Sequence, residues 1–505
     1  WEEIKLPSSP EDTAWETFHA AEERCRISNR RLRAVNGGRN TRFSAHIAYM
    51  QRFISDVLSP YGGVKHAEQL DYVPLNIKDI FEHGSFTGGA SLGVHGDLTN
   101  VYRKIRDGRF TVGNRVALEL FVKSLTLKPI PLGAVTDEEY PCLDPAWVES
   151  RLSFVEKPFN VVQMVPKTAK THRSIAVEPT ANAFLQNGIE SVLKDLLRVR
   201  GYDLRSQRKN QDLAREGSIS GRFATVDLSS ASDTLSQGAV ELLFPREWVW
   251  LMRVTRSPSY DDGTAIRPYH KFVSMGNGFC FPLETLVFAS AVRAAIAFTG
   301  CDRVHAVYGD DIVVPTEAFS LTIDILKFLG FTPNEKKTFS TGNFRESCGA
   351  DWYRGQDVRP VYLDFHLSTL REMMVFHNAT LRSEWVSLNF ERWRNAIYSR
   401  MDPWSRIYRP DRAWIHPKIE ERSRQFWQGP SLSDRFDVLK RYNDNGAFVV
   451  PFEHFMQSPY ASWNKNEMRW SWKELQVSPV LDPGSGSQFR RCEYLALLRG
   501  SPQGK

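Results

Sequence analysis

Apolar and polar positions alternate most regularly in the middle of the chain. Val161-Val162-Gln163-Met164-Val165 and Ser174-Ile175-Ala176-Val177 predict two short strands flanking a polar connection. After Pro179, Leu185, Ile189, Val192, Leu193 and Leu196 fall on one stripe, which predicts a helix over 181–199. Phe223-Ala224-Thr225-Val226 predicts a strand ending at Asp227, with Ser229 or Ser230 placed to cap a following helix. Ser274-Met275-Gly276-Asn277-Gly278 reads as a turn before an apolar helix from Leu283 to Ala297. Two β-branched runs, 304–307 and 312–314, bracket Tyr308-Gly309-Asp310-Asp311 and predict a hairpin with that tetrapeptide at its tip. Leu321 to Leu329 predicts a short helix stopped by Gly330.

Elsewhere the periodicity gives way to charge and aromatic patterning. Residues 1–60 begin acidic (Glu2, Glu3, Glu11, Glu16, Glu22, Glu23) and turn basic at Arg24, Arg26, Arg30, Arg31, Arg33, Arg39 and Arg42. A solvated helix face is the default reading, and an RNA- or partner-facing arm is the alternative. Gly84 to Gly96 is glycine-rich but lacks G-x-x-x-x-G-K-[ST], so a P-loop is not supported. From about Thr369 basic residues interleave with aromatics, densest over 392–427 (Arg392, Trp393, Arg394, Trp404, Arg412, Trp427 among them). Singly these aromatics read as core, and together they suit a surface that tracks a nucleic-acid backbone.

Composition narrows the class. At 505 residues the chain exceeds one ordinary core, and about two to four subdomains are expected. Hydrophobic and charged shares of 42% and 25% are ordinary globular values and indicate neither a disordered nor a fibrous chain. The net charge of +6 is compatible with a nucleic-acid partner without requiring one. The six cysteines show no zinc spacing and are expected as free thiols of a reducing compartment. The chain opens Trp-Glu-Glu without a basic-then-apolar leader, and its most apolar stretch, 286–298, carries Arg293 and is shorter than the ~20 residues of a membrane span. A soluble cytosolic protein is expected.

The candidate chemistry sits on the predicted turns. Asp310 and Asp311 place two like charges together at a hairpin tip, which a divalent cation with oxygen ligands would relieve. The alternative is an acidic solvated turn. Asp227 ends an apolar strand, where open sheets build their sites. Lys167, Lys170, His172 and Arg173 crowd one connection, and fixed cations there would attract a polyanion such as a triphosphate. Gly276 and Gly278 let a backbone or base approach closely.

Taken together, these segments resemble the motifs of viral RNA-dependent RNA polymerases, and most closely the catalytic (beta) subunit of the replicase of leviviruses, the positive-strand RNA phages. The resemblance is carried by Val165-Pro166-Lys167 through Arg173, Val226-Asp227-Leu228-Ser229-Ser230-Ala231-Ser232-Asp233, Ser274-Met275-Gly276-Asn277-Gly278-Phe279, Tyr308-Gly309-Asp310-Asp311-Ile312 and Phe344-Arg345-Glu346-Ser347-Cys348-Gly349-Ala350. It implies an α/β (α+β) right hand, whose palm is an antiparallel sheet flanked by helices. Residues 1–150 would contribute to the fingers, 151–222 would be fingers with the basic segment that admits nucleotides, 223–368 the palm, and 369–505 a mostly helical thumb and C-terminal region. The implied activity is template-directed RNA synthesis from RNA, with initiation that needs no primer.

Nucleotide addition is an in-line displacement at phosphorus, and two divalent ions ~3.5–4 Å apart hold the attacking and leaving oxygens. Asp227 and Asp310 would bridge the metals with Asp311 in support, Mg²⁺ being the expected ion and Mn²⁺ or Ca²⁺ possible substitutes. Lys167, Lys170 and Arg173 would neutralise the triphosphate. By the same resemblance Asp233, Ser274 and Asn277 would read the ribose 2′-hydroxyl, and Lys336, with Lys337 as alternative, would protonate departing pyrophosphate. Gly276, Gly278, Tyr308 and Arg345 would contact RNA. Glu284 stands where many related polymerases carry Asn. The resemblance further implies RNA template and product, NTPs, host elongation factors Tu and Ts, a small-subunit ribosomal protein, and a place in the cytoplasm of an infected bacterium. A reverse transcriptase and a non-catalytic RNA-binding protein are the rival readings.

Overall fold

Ser9 and Pro10 set the start of the first helix. The Ser9 hydroxyl accepts the Glu11 amide, Pro10 takes the first helical position, and Glu11 and Asp12 face the positive end of helix α1 (Pro10–Asn36). The computed structural model describes residues 9–65, 72–94, 108–127, 152–168 and 171–360, isolated positions between these, and short pieces between 376 and 472. The chain divides into two compact units, Trp1–Gly355 and Gln356–Lys505. In the second unit the described residues include two antiparallel hairpins, Ile407–Tyr408 with Trp414–Ile415 and Ala461–Asn464 with Arg469–Trp472. The basic-aromatic stretch 392–427 lies almost wholly outside the described residues.

Within the first unit, whose first strands are β1 (Val64–Lys65), β2 (Tyr72–Val73), β3 (Arg109–Val112) and β4 (Ser153–Glu156), one apolar core joins most elements. Around it stand α2 (Ser44–Leu58), α3 (Ile77–Glu82), α4 (Arg115–Leu127), α5 (Thr180–Val199) and α6 (Arg208–Ser220). After a short strand come α7 (Ala231–Thr234), α8 (Gln237–Leu243), α9 (Arg246–Thr255), α10 (Cys280–Thr299) and α11 (Thr316–Leu329). Helix α10 is apolar on nearly every face, and its residues from Leu286 to Val292 are all buried, as expected for a helix walled in by others. Among the described residues it is the helix long and apolar enough to cross a membrane, yet here it is core.

The expected hairpin supplies two strands of a three-stranded antiparallel sheet, its second arm in the centre. Its strands β10 (Ala306–Tyr308) and β11 (Asp311–Pro315) pair with each other, and β11 also pairs with β7 (Phe223–Val226). A second sheet is built on β5 (Phe159–Thr168) and β6 (Thr171–Val177), extended by β8 (Ser259–Asp261) and β9 (Ile266–Pro268). The basic connection of the sequence is therefore mostly strand. The ladder continues past the apolar flanks, so Arg173 pairs with Val165, while Lys167 sits at a bulge between Pro166 and Thr168. A third hairpin, β12 (Phe344–Ser347) with β13 (Ala350–Tyr353), packs on α6 and β7.

Several expected boundaries move. Helix α11 begins at Thr316, five residues before the apolar stripe, because its first turn docks on β11 and Thr316 bonds the Arg222 and Gly221 carbonyls. No Ser caps α7. Ser230 adopts φ +53° and its side chain makes no cap bond, so the segment stays a single turn. The basic half of α1 is not simply solvated: Asn29 bonds the His270 carbonyl and the Gly238 amide, pinning the helix to the body. The described cysteines, Cys25, Cys280, Cys301 and Cys348, are free thiols.

Candidate active site

Strand register decides which acidic side chains meet. Ile312 pairs with Val226 and Tyr308 with Asp311, so Asp227, one residue past β7, stands level with Asp311, and Asp310 occupies the turn. The turn needs its glycine: Gly309 has φ +58°, and a Cβ there would lie 2.2 Å from Cε2 of Phe281. Its amide donates to Thr285 Oγ1 at 3.0 Å, and Tyr308 packs edge-on against Phe281 with centroids 5.0 Å apart. Helix α10 thereby fixes the tip from below.

Each flanking carboxylate is held by a donor. Asn334 Nδ2 donates to Asp227 Oδ2 at 2.7 Å, while the Asn334 amide donates to the Asp227 carbonyl at 2.9 Å. Asp311 Oδ1 accepts the Cys348 amide at 2.8 Å and the Ser347 hydroxyl at 3.3 Å. Cys348 adopts φ +49°, the conformation that turns its amide inward. Asp310 is the member raised furthest. Burial, then the charges of Asp311 and Asp227, push its carboxyl to about 6. Burial also raises Asp227, with Lys337 and Asn334 pulling the other way.

Cations face this group. Lys167 feels Asp310 and Asp227, and its pKa is lowered by burial and by neighbouring Arg173 and Lys337. Arg173 is exposed and acts on Asp310. Lys170 lies outside the described residues. Of the two candidate lysines, Lys337 acts on Asp227, Lys167 and Glu346, whereas Lys336 figures in none of these interactions. The turn Asn334–Lys337 is closed by the Lys337 amide on the Asn334 carbonyl, and the half-exposed Lys337 ammonium lies 3.8 Å from Glu346.

Asp233 is paired within the protein. Lys271 Nζ sits 2.6 Å from Oδ1 and the Ser174 hydroxyl donates to Oδ2 at 3.1 Å. The Lys271 side chain is 1% exposed and its ammonium lies 4.0 Å from the Phe18 ring centroid, an aromatic contact that helps compensate its burial. The 274–278 turn is held from behind by Glu178, which is fully enclosed. Its carboxylate accepts Asn160 Nδ2 at 2.6 Å, Asn277 Nδ2 at 2.8 Å and the Ser257 hydroxyl at 2.9 Å. Asn277 Oδ1 in turn accepts the Ser274 amide at 2.7 Å. Both ends of the Asn277 amide are thus committed to the protein, and Ser274 is 4% exposed. The turn's shape, rather than a free Asn277 side chain, is what this site offers a ligand.

Arg345 is a correction. It is fully buried, with Nε on the Phe223 carbonyl at 2.6 Å and Nη1 on carbonyls of Thr341, Gly342 and Phe344. A guanidinium so enclosed fixes β12 to β7 and does not reach RNA. Gly276 and Gly278 also answer to protein: a Cβ at Gly276 would lie 2.2 Å from the Ala176 carbonyl, and at Gly278 2.8 Å from Asn187 Oδ1. Tyr308 remains half-buried beside the tip. Glu284, on α10, is buried near Asp310 and Asp233, its carboxyl is raised well above the usual range by burial, and its Oε2 has no partner among the described residues.

Sequence reasoning missed Asn334, Lys271 and Glu178. Thr332-Pro333-Asn334 was the one available signal, an Asx turn placed after a helix stop. For a metal, the donor chemistry fits: carboxylate oxygens gather at a site where burial and then their mutual repulsion raise Asp310, and hard divalent cations take such ligands. No ready cage of three or more His, Cys, Asp or Glu groups exists among the described residues. Mg²⁺ characteristically keeps water and substrate phosphate in its shell, so a partial protein set suffices.

The chain matches the family described as RNA replicase, beta-chain, over residues 4–389. It is 37% identical over 378 residues to the RNA-directed RNA polymerase subunit beta of Enterobacteria phage SP, covering 74% of this chain and 60% of that protein. To the subunit of the same name from Escherichia virus Qbeta it is 35% identical over 393 residues, covering 77% and 61%. The chain therefore spans about three fifths of the length of these relatives. Among solved structures, the in situ structure of the BmCPV RNA-dependent RNA polymerase at elongation state aligns with a TM-score of 0.41 and 11% identity, covering 71% of this chain and 33% of that one.

Proposed function

The chain belongs to the family of RNA replicase beta-chains, and from that premise we propose that it is an RNA-directed RNA polymerase that copies a phage RNA genome. The observation that carries the reading is the meeting of Asp227 with the Asp310-Asp311 tip across the β7–β11 ladder, opposite Lys167, Arg173 and Lys337. Carboxylates facing fixed cations across one gap suit a reaction in which a triphosphate is held and a pyrophosphate leaves.

In this reading Asp227 and Asp310 hold two divalent cations, Mg²⁺ first, and Asp311 supports them. When bound, the metals would supply charge stabilisation to the attacking and leaving oxygens. The chain's own groups do the rest. Lys167, Arg173 and Lys170 neutralise the triphosphate, and Asn334 and the Cys348 amide keep the carboxylates aimed. Asp233, oriented by Lys271 and Ser174, reads the sugar edge together with the 274–278 turn. Lys337, rather than Lys336, is the cation placed to donate a proton toward pyrophosphate. The β5–β6 sheet would belong to the fingers and the β7–β10–β11 sheet to the palm of a right-hand polymerase. Primer-independent initiation, action inside the infected bacterium, and assembly with elongation factors Tu and Ts and a small-subunit ribosomal protein complete the proposal and follow from the family alone.

The test is NTP incorporation on an RNA template by the purified chain with Mg²⁺, without primer, with and without bacterial extract. Asp310→Asn and Asp227→Asn are expected to abolish incorporation while RNA binding persists. Incorporation that survives both substitutions, or equal use of dNTPs, would overturn the assignment.

A further inference from the structure

The basic run of α1 is not absorbed by the chemistry above, and the structure sorts its members. Arg26 pairs with Glu23 and Arg33 with Glu241, while Arg42, beyond the end of the helix, pairs with Asp324. Arg24 and Arg31 lie two turns apart on one face and bond no carboxylate among the described residues. They face Lys327, at the end of α11, across a cleft of about 340 Å³ on the body of the first unit. Its lining holds three cations, no carboxylate, and the hydroxyl residues Ser28 and Thr332.

The cations are already arranged. Arg31 Nη2 donates to the Phe328 carbonyl at 2.5 Å and its guanidinium lies over the Phe328 ring, 5.4 Å from the centroid, which fixes the fork. Among the described residues Arg24 reaches Thr332 Oγ1, at 3.5 Å, and its Nε is shielded from water with no partner there. A buried guanidinium N–H without an acceptor is a cost that a ligand oxygen would remove. The C-terminus of α11 brings about half a negative charge here, which the lining's fixed cations outweigh. Planar Arg forks with a Lys and hydroxyl groups suit phosphate oxygens. Ile27, 58% exposed on the rim, offers apolar surface on which a sugar or base could lie, while Phe331 is buried and closes the floor.

We propose that this cleft binds a phosphodiester group of an RNA strand, at a site separate from Asp227 and Asp310. The wall between the two sites is one segment: the Thr332 carbonyl accepts the Ser229 amide at 2.9 Å, Pro333 bridges Leu228, and Asn334 grips Asp227. The proposal does not depend on polymerase activity, because its test uses neither metal nor nucleotide.

A short labelled single-stranded RNA is titrated with the full chain in EDTA over a range of salt and followed by fluorescence anisotropy. The triple variant Arg24→Gln, Arg31→Gln, Lys327→Gln is expected to bind about tenfold more weakly at low salt, with the slope of log K against log salt falling by about 0.7 for every phosphate no longer neutralised. The pair Arg24→Lys, Arg31→Lys keeps the charge and is expected to keep most of the slope. Unchanged affinity and slope in the triple variant overturn the proposal. Hydrogen exchange on the unsubstituted chain gives a readout independent of variant folding: RNA is expected to slow exchange over 327–334, and unaltered exchange there overturns it as well. Inorganic tripolyphosphate separates the sources of phosphate. Protection of 327–334 by tripolyphosphate but not by RNA would identify a free polyphosphate site and sink the RNA proposal.

Discussion

Removing the charge of Asp310 is expected to stabilise the metal-free protein while abolishing its chemistry. In the folded chain burial and the charges of Asp311 and Asp227 raise this carboxyl from its ordinary 3.8 to about 6. At about 1.36 kcal/mol per unit the difference corresponds to about 3 kcal/mol, and partial contact with solvent reduces it to on the order of 1–3 kcal/mol. The unfolded chain releases this proton near 3.8 and the folded chain only near 6. Between those values the folded state holds the extra proton, so stability falls as pH rises through the window and the loss is complete above it. Asp310→Asn should therefore be more stable than the parent at neutral pH in EDTA, and the advantage should vanish below about pH 4. Urea unfolding followed by tryptophan fluorescence measures it. Excess Mg²⁺ should then raise the parent's midpoint and leave the variant's unmoved, because only the parent keeps the ligand. A variant no more stable than the parent at neutral pH, or an advantage that persists undiminished in acid, would refute the electrostatic account of the tip.

Asn334→Ala removes a charge-assisted bond to Asp227, worth about 1.5–3 kcal/mol, so incorporation is expected to fall at least tenfold with RNA affinity preserved, read from kcat and binding separately. Glu178→Ala leaves the donors of Asn160, Asn277 and Ser257 unmatched in a sealed interior, and a loss of about 3 kcal/mol or more in unfolding free energy is expected. Gly309→Ala forces a Cβ onto Phe281 at a left-handed φ, so incorporation should collapse, with Phe281→Leu in the same chain restoring part of it. Lys337→Gln should slow single-turnover nucleotide addition more than Lys336→Gln, and the reverse order would return the proton-donor role to Lys336.

The parts of this protein written in local pattern were legible. Strand β7 stopping at Asp227, the Gly309 tip, the stripe of α5 and the apolar run of α10 each follow from spacing and side-chain type over a few residues. Position along the chain misled wherever partners were remote. The resemblance placed Arg345 against RNA, yet carbonyls of Phe223 and of its own loop enclose it. Lys336 and Lys337 are neighbours in sequence, and only the Asn334 turn selects the one that faces Asp227. The run of arginines on α1 shows one pattern in sequence, while ion pairs of Arg26 with Glu23 and Arg33 with Glu241 neutralise some members and spare others.

The sequence by itself determined the elements and the acidic residues at their ends, because backbone propensity and hydrophobic period act over a few neighbours. Tertiary structure alone decided what surrounds those residues: Lys271 against Asp233 across 38 positions, Asn334 against Asp227 across 107, Glu178 against Asn277 across 99. Charge and hydrogen bonding act through space at a few ångströms, so a side chain's protonation and aim depend on which distant segments the fold brings beside it.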